Sequence, residues 1–211
     1  MNKSKIIAAA VAGCLIVTAM AATASAAGYS IPKQPVQGGS STASGPVYSS
    51  SVVYVPKSEV KVVTAKLMEA SIESGTTITI KPSEAKVNRS AMSVIKKQKE
   101  PVVFQSKEYT VSINPKTITT AKEINLGMKV DLFPEAGIIS IDPVQKGEFG
   151  LEMAVTIPAD SLKDFDLKGL RFFYVGKDGK RKELKNFTVN KDGSLTFTLT
   201  HASSYVFEQA K

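Results

Sequence analysis

The stretch LTFTLTHASSYVF, residues 195–207, decides the fold because its first half alternates between apolar and polar residues. A period of two is typical of a strand with one buried face, whereas a helix repeats about every 3.6 residues. One face carries the apolar side chains and ends in His201, the only histidine of the chain. After a bend at 202–204, Tyr205 and Phe207 return to the buried side. The pattern predicts an extended segment whose imidazole turns inward at the rim of the core.

A buried imidazole needs hydrogen-bond partners, and the bend offers backbone groups and serine hydroxyls close by. We therefore interpret His201, Ser203 and Tyr205 as structural residues. The alternative, a serine hydrolase with His201 as its base, needs an exposed nucleophile and an orienting carboxylate, but the sequence has no G-x-S-x-G elbow. A single histidine also excludes a zinc site with several histidines. We expect no enzyme activity, no catalytic or metal-binding residue and no cofactor.

Period-two alternation continues upstream of this segment. Apolar and polar residues alternate in three further runs, at 109–113, 126–132 and 151–157. The run LRFFYV at 170–175 is apolar on both faces, which is typical of a central strand. KDGK at 177–180 and NKDGS at 190–194 have the composition of hairpin turns. We therefore predict an antiparallel β module, arranged as a meander, over residues 137–211.

Residues 52–136 contain helical patterns as well as extended ones. Thr64 and Gly75 are placed to cap the two ends of one helix, and Ser90 is placed to begin a second. The predicted apolar faces of the two helices are Leu67, Met68 and Ile72, and Ala91, Val94 and Ile95. The sequence therefore predicts an α+β fold, mainly β, in which short helices and strands precede a sandwich-like antiparallel sheet.

The C-terminal segment carries the pattern D-G-x-L-x-F-x-L-T-H-x-S-x-Y-V, which begins at Asp192 and ends at Val206. This pattern resembles a C-terminal module of secreted and cell-surface proteins from Gram-positive, clostridia-like bacteria. The resemblance extends over residues 62–208 and is strongest over the last forty of them. It implies a β-rich, non-catalytic module of the kind that is often appended to larger envelope proteins.

The first 26 residues have the features of a secretory signal peptide. Lys3 and Lys5 precede an apolar run, and Ala24-Ser25-Ala26 supplies the small residues of a cleavage site. A second interpretation takes Val11–Cys14 as a lipobox, so that a lipid on Cys14 would anchor the chain. We expect a secreted or envelope-associated protein that meets the membrane only during export, or through that lipid.

Two further segments follow the expected signal. Residues 27–51 are rich in serine, glycine and proline and nearly uncharged, which predicts a flexible tether. Ordered structure is expected to begin near Val52, where the run VVYV is rich in β-branched residues and is interrupted by Pro56. The expected organisation is thus signal, tether, helix-strand region and antiparallel module.

The formal net charge of +8 favours anionic partners. Two groups of basic residues are candidate polyanion contacts: Lys96, Lys97 and Lys99, and Lys180, Arg181, Lys182 and Lys185. Aromatic residues do not alternate with them, so nucleic acid is not an expected partner. The main hypothesis is an exported, non-catalytic structural or protein-interaction module that contacts envelope proteins. The alternative is a module that binds an anionic wall polymer, a carbohydrate or a membrane surface through these basic patches.

Overall fold

Short helices and strands open the described part of the chain. The structure, a computed structural model, describes residues 58–176 and 178–209. The expected signal peptide, the tether and the run at 52–55 lie outside these residues. The first elements are β1 (Val62–Val63), α1 (Ala65–Ser74), β2 (Ile78–Thr79), β3 (Lys86–Val87) and α2 (Arg89–Lys96).

The ends of α1 are those that the sequence predicts. The Thr64 side chain accepts a hydrogen bond from the N–H of Leu67, and Gly75 ends the helix with a φ of 64°, which glycine adopts without steric cost. The helix buries Leu67, Met68 and Ser71. Ile72, which was expected on the apolar face, is 38% exposed, because the buried stripe of this helix runs through Ser71.

The second helix begins one residue before the predicted cap. Asn88, and not Ser90, caps α2, since its Oδ1 accepts a hydrogen bond of 2.8 Å from the N–H of Ala91. Ser90 lies in the first turn, and its hydroxyl donates to the same oxygen at 2.8 Å. Both residue types are common caps, so the sequence alone left the first turn ambiguous.

Strands dominate the rest of the described chain. They are β4 (Val102–Gln105), β5 (Thr110–Ile113), β6 (Ile124–Asn125), β7 (Met128–Phe133), β8 (Ile138–Pro143), β9 (Gly147–Ile157), β10 (Leu170–Val175), β11 (Arg181–Leu184), β12 (Phe187–Val189), β13 (Leu195–Ala202) and β14 (Ser204–Gln209). A short helix, α3 (Ala159–Leu162), joins β9 to β10. The fold is α+β and mainly β, with 45% of the described residues in strands and 19% in helices, so the predicted fold class is confirmed.

The described strands form three sheets. A small sheet has the order β1-β3-β6, an antiparallel sheet of five strands has the order β11-β10-β14-β8-β7, and a sheet of six has the order β12-β13-β9-β5-β4-β2. The two large sheets share a core of aromatic rings, in which Phe197 of β13 lies 5.5 Å from Phe172 of β10 and 5.3 Å from Phe207 of β14, measured between ring centroids. These contacts join the sheets as a sandwich.

Both large sheets draw strands from each side of residue 136, where the helix-strand region was expected to end. β7 pairs with β8 across this point, and β5 pairs with β9. The consecutive strands β13 and β14 belong to different sheets, so the strand order departs from a simple meander. The run at 170–175 is an inner strand, as predicted, because β10 pairs on both sides.

A buried phenol fixes the start of β7. The Tyr109 hydroxyl lies 3.0 Å from the carbonyl oxygen of Pro82 and 3.1 Å from that of Leu126, and it accepts a 2.9 Å hydrogen bond from the N–H of Met128. Burial raises the pKa of Tyr109, so the phenol keeps its proton. Tyr109, which directly precedes β5, thus ties the start of that strand to two segments that are distant in sequence.

Within the described residues, every helix is too short or too polar to cross a bilayer.

Candidate functional site

His201 lies near the end of β13, at an irregularity in its pairing with β9. Leu199 pairs with Met153, but His201 pairs with Glu148, so β9 holds extra residues between the two positions. Gly150 lies in this bulge with a φ of 73°, a value that favours glycine. The bulge and the strand end together place the imidazole at one end of the interior between the two large sheets.

The partner of His201 is a tyrosine of the next strand. The Tyr205 hydroxyl lies 2.7 Å from His201 Nδ1 and donates a hydrogen bond of 2.7 Å to the His201 carbonyl oxygen. When the hydroxyl gives its single proton to the carbonyl, Nδ1 is the donor in the first contact. The Tyr174 ring meets the imidazole edge-on at 4.8 Å between centroids, and the Tyr205 ring stacks on it at 5.7 Å.

The bend serines do not hold the imidazole. We expected serine hydroxyls to supply a partner, but in the described part of the chain the recorded side-chain bond of His201 is to Tyr205. Ser204 instead donates to Asp142 Oδ1 on β8 at 2.5 Å. Ser203 lines a cavity of about 200 Å³ together with Asp142, Lys146 and Val175, the last residue of β10. Burial raises the pKa of Tyr205, so this phenol stays protonated.

The basic residues of the β10–β11 hairpin do not share one face. Arg181 pairs with Val175 on the outer face of the five-stranded sheet, whereas Lys182 pairs with Tyr174, whose ring lies on the inner side. Three of these four residues have a carboxylate partner: Arg181 bonds Glu208 at 2.8 Å, Lys185 bonds Glu183 at 2.5 Å, and Lys180 lies 3.2 Å from Asp178. Lys182 has none within the described residues. The positive charge of this hairpin is therefore largely balanced within the fold.

Sequence reasoning missed a group of outer-face residues around Phe173. The guanidinium carbons of Arg171 and Arg181 lie 4.9 Å and 4.4 Å from the centre of the Phe173 ring. Arg171 also bonds Glu183 at 2.9 Å. The two arginines cover an apolar ring on the solvent side of the sheet, which is why β10 is apolar on both faces without a second layer over it. Arg171 and Phe173 share one face of β10 because they are two residues apart, and this spacing was the sequence signal that could have predicted their contact.

Glu183 receives two cationic partners. Its hydrogen bonds to Arg171 and to Lys185 lower the pKa of the carboxyl to about 2. Charge pairs on an exposed face contribute little each, but this set connects β10, β11 and β14. The outer face of the sheet therefore carries an ordered network of both signs.

The lysines at the end of α2 have a different environment. Lys96, Lys97 and Lys99 are exposed, and Lys96 Nζ donates to the Thr119 carbonyl oxygen at 2.8 Å. Nearby, Lys122 Nζ donates to the Glu148 carbonyl oxygen at 2.6 Å. Among the ion pairs of residues 58–176 and 178–209, none includes these four lysines. They form a basic surface at the end of a helix, where cations also complement the helix dipole.

Comparison with known proteins gives no relative: no protein-family model matches the sequence, and no curated protein matches it.

Proposed function

We propose that the protein is an exported, non-catalytic module of the cell envelope or extracellular space that acts through structural and protein contacts. The observation that carries this proposal is the bond between His201 and Tyr205. The Nδ1 atom of the only histidine is hydrogen-bonded to the buried Tyr205 phenol, and the same phenol donates to the backbone carbonyl of His201 on β13. The side chain best suited to proton transfer at neutral pH thus stabilises the junction of the two sheets.

Binding to two envelope preparations tests this function. The full chain is mixed with envelope fragments that keep their proteins and with walls stripped of protein, and the sedimented fraction is measured. We expect retention on the first preparation that persists in high salt and is lost after protease treatment of the fragments. Equal retention on stripped walls would contradict a protein partner, and failure to bind either preparation would contradict the envelope role.

A second candidate function is the binding of an anionic wall polymer, and the α2 lysines favour it. These exposed lysines form no ion pair within the described residues, unlike Lys180 and Lys185 of the hairpin, and only Lys96 has its ammonium group on a backbone carbonyl, that of Thr119. An exposed basic surface without carboxylate partners attracts polyanions. Salt weakens this attraction, because the Debye length at 0.1 M salt is only about 10 Å. This candidate predicts retention on stripped walls at low salt and release at high salt.

Matched triple variants test the second candidate. If the α2 surface binds the polymer, Lys96→Gln/Lys97→Gln/Lys99→Gln removes the salt-sensitive retention. The control Lys180→Gln/Lys182→Gln/Lys185→Gln removes the same charge and is expected to keep it, because two of these lysines already have carboxylate partners. Equal losses in both variants would point to net charge alone and contradict a site at α2.

A further inference from the structure

The strand β7 forms one edge of the five-stranded sheet, and some of its backbone groups have no hydrogen-bond partner among the residues that the structure describes. Met128 pairs with Pro143, which has no N–H, and the Met128 N–H bonds the Tyr109 hydroxyl and the Pro82 carbonyl instead, each at 2.9 Å. One residue earlier, the Val144 N–H donates to the Gly127 carbonyl at 2.9 Å. Because bonded and non-bonded pairs alternate along an antiparallel ladder, the backbone groups of the next even-numbered residues point away from β8.

Those residues are Val130 and Leu132, and their groups have no recorded partner among residues 58–176 and 178–209. Their side chains lie on the inner face of the sheet and are only half-buried, although both pack against the core. Phe133, at the end of the strand, is 50% exposed. An edge with open backbone groups and uncovered apolar side chains is a template for one more strand.

The first described residues of the chain lie at the Met128 end of this edge. Glu59, near the start of the described residues, lines a cavity of about 410 Å³ together with Met128 and Lys129. Residues 51–56, SVVYVP, precede Glu59 with Lys57 and Ser58 in between, and they match the six residues of β7 in number. Six extended residues span roughly 20 Å, so this run is long enough to follow the whole strand. Because Glu59 lies at the Met128 end of β7, a run that precedes it along this edge would be antiparallel to β7.

We propose that residues 52–55 of the same chain dock along β7 as an additional antiparallel strand. Pro56 sets the register, because it lacks an N–H and fits opposite Met128, whose own N–H is already used. Tyr54 then lies opposite Val130, and Val52 lies opposite Leu132. The new strand supplies partners to both open residues and covers their half-buried side chains with an aromatic and a β-branched one. This inference does not depend on the proposed function.

Amide hydrogen exchange in full-length protein tests the docked strand. In the unaltered chain, the amides of Val130 and Leu132 are expected to be protected. Tyr54→Pro deletes a donor that faces β7 and is expected to accelerate their exchange by at least about tenfold. The matched control Val53→Pro places proline where the N–H faces solvent, and protection should persist. Rapid exchange in the unaltered chain, or equal effects of the two substitutions, would overturn the proposal.

Disulfide trapping distinguishes docking within one chain from docking between two copies. In a full-length chain whose only cysteine is replaced (Cys14→Ser), the pair Val53→Cys/Asp131→Cys occupies facing positions of a non-hydrogen-bonded pair, where Cβ atoms come within about 5 Å. We expect rapid formation of a disulfide within the monomer. The control Ser41→Cys/Asp131→Cys should form it much more slowly. A disulfide-linked dimer, or equal rates in the two variants, would contradict docking within the same chain.

Discussion

At the scale of single residues, the hydroxyl of Tyr205 connects two strands that belong to different sheets. It joins the His201 imidazole and the His201 carbonyl, both on β13, while its own ring packs on Phe172 at 5.6 Å. A buried polar group costs free energy unless it is hydrogen-bonded. The Tyr205 hydroxyl therefore depends on the imidazole and the carbonyl of His201 for its hydrogen bonds. The role expected for His201 thus has a specific partner, four residues further along the chain.

Replacing Tyr205 with phenylalanine is expected to lower the free energy of unfolding by about 1–3 kcal/mol, because the half-buried imidazole and carbonyl of His201 lose their partner. Urea unfolding followed by tyrosine fluorescence or circular dichroism measures this change. Tyr174→Phe is the control, since it removes a hydroxyl with no recorded hydrogen bond in the described structure and keeps the ring beside His201. Comparable losses in the two variants would contradict a bonding role for the Tyr205 hydroxyl.

The carboxyl of Glu183 predicts a pH dependence of stability. Its pKa is about 2 in the folded protein and about 4.5 without its partners, so the folded state favours the charged form. The resulting stabilisation is complete above about pH 4.5 and disappears as the pH falls toward 2. Glu183→Gln is expected to flatten the change in unfolding midpoint over this interval, relative to the unaltered protein.

The partners of Glu183 provide the internal control for that measurement. Arg171 is its strongest partner and Lys185 the second, so Arg171→Gln should flatten the profile more than Lys185→Gln. The opposite ranking, or an unchanged profile in Glu183→Gln, would show that the ion pairs of this face do not control acid stability.

At the scale of elements, α2 shows how a local signal decides a helix end. Asn88 and Ser90 are both good capping residues, but only Asn88 has extended backbone angles, with φ −69° and ψ 164°, as a cap requires. The choice follows from β3, which ends one residue earlier and delivers the chain to Asn88 in an extended conformation. The helix then buries Ala91, Met92 and Ile95.

Asn88→Ala is therefore expected to destabilise the protein by about 1 kcal/mol, because the Ala91 N–H loses its acceptor. Ser90→Ala removes only a hydroxyl that donates to Asn88, and we expect a loss below about 0.5 kcal/mol. Thermal unfolding of the two variants measures the difference. A larger effect of Ser90→Ala would show that Ser90 is the cap, as the sequence pattern suggests.

At the scale of the whole molecule, the two large sheets depend on strands from both halves of the chain. β9 lies between β13 and β5, and β8 lies between β14 and β7. Their inner faces bury residues such as Met153 and Ile141, which pack in the common core. Residues 137–211 alone would leave β8 and β9 with an open edge and uncovered apolar side chains.

We therefore expect a fragment of residues 137–211 to lack a cooperative unfolding transition, whereas mixing it with a fragment of residues 52–136 should restore one. Circular dichroism during thermal unfolding of the separate and mixed fragments measures this. A sharp transition of the 137–211 fragment by itself would show that the C-terminal module is an independent domain.

The sequence alone determined the local features of this protein. Period-two alternation placed the strands at 109–113 and 151–157, and the caps Thr64 and Gly75 bounded α1, because burial on one face and the satisfaction of helix ends depend on neighbouring residues. His201 and Tyr205 lie four residues apart, so even their contact was within reach of sequence reasoning.

Only the tertiary structure decided which strands became neighbours and which charges met. Glu208 reaches Arg181 across 27 positions, and Ser204 reaches Asp142 across 62. No local pattern encodes such pairs, since their geometry depends on the strand order of the complete sheet. The same order balanced the hairpin cations and left those of α2 open to solvent. Strand pairing is a cooperative property of the whole chain. For this reason the two groups of basic residues, which look alike in the sequence, have different surroundings in the folded protein.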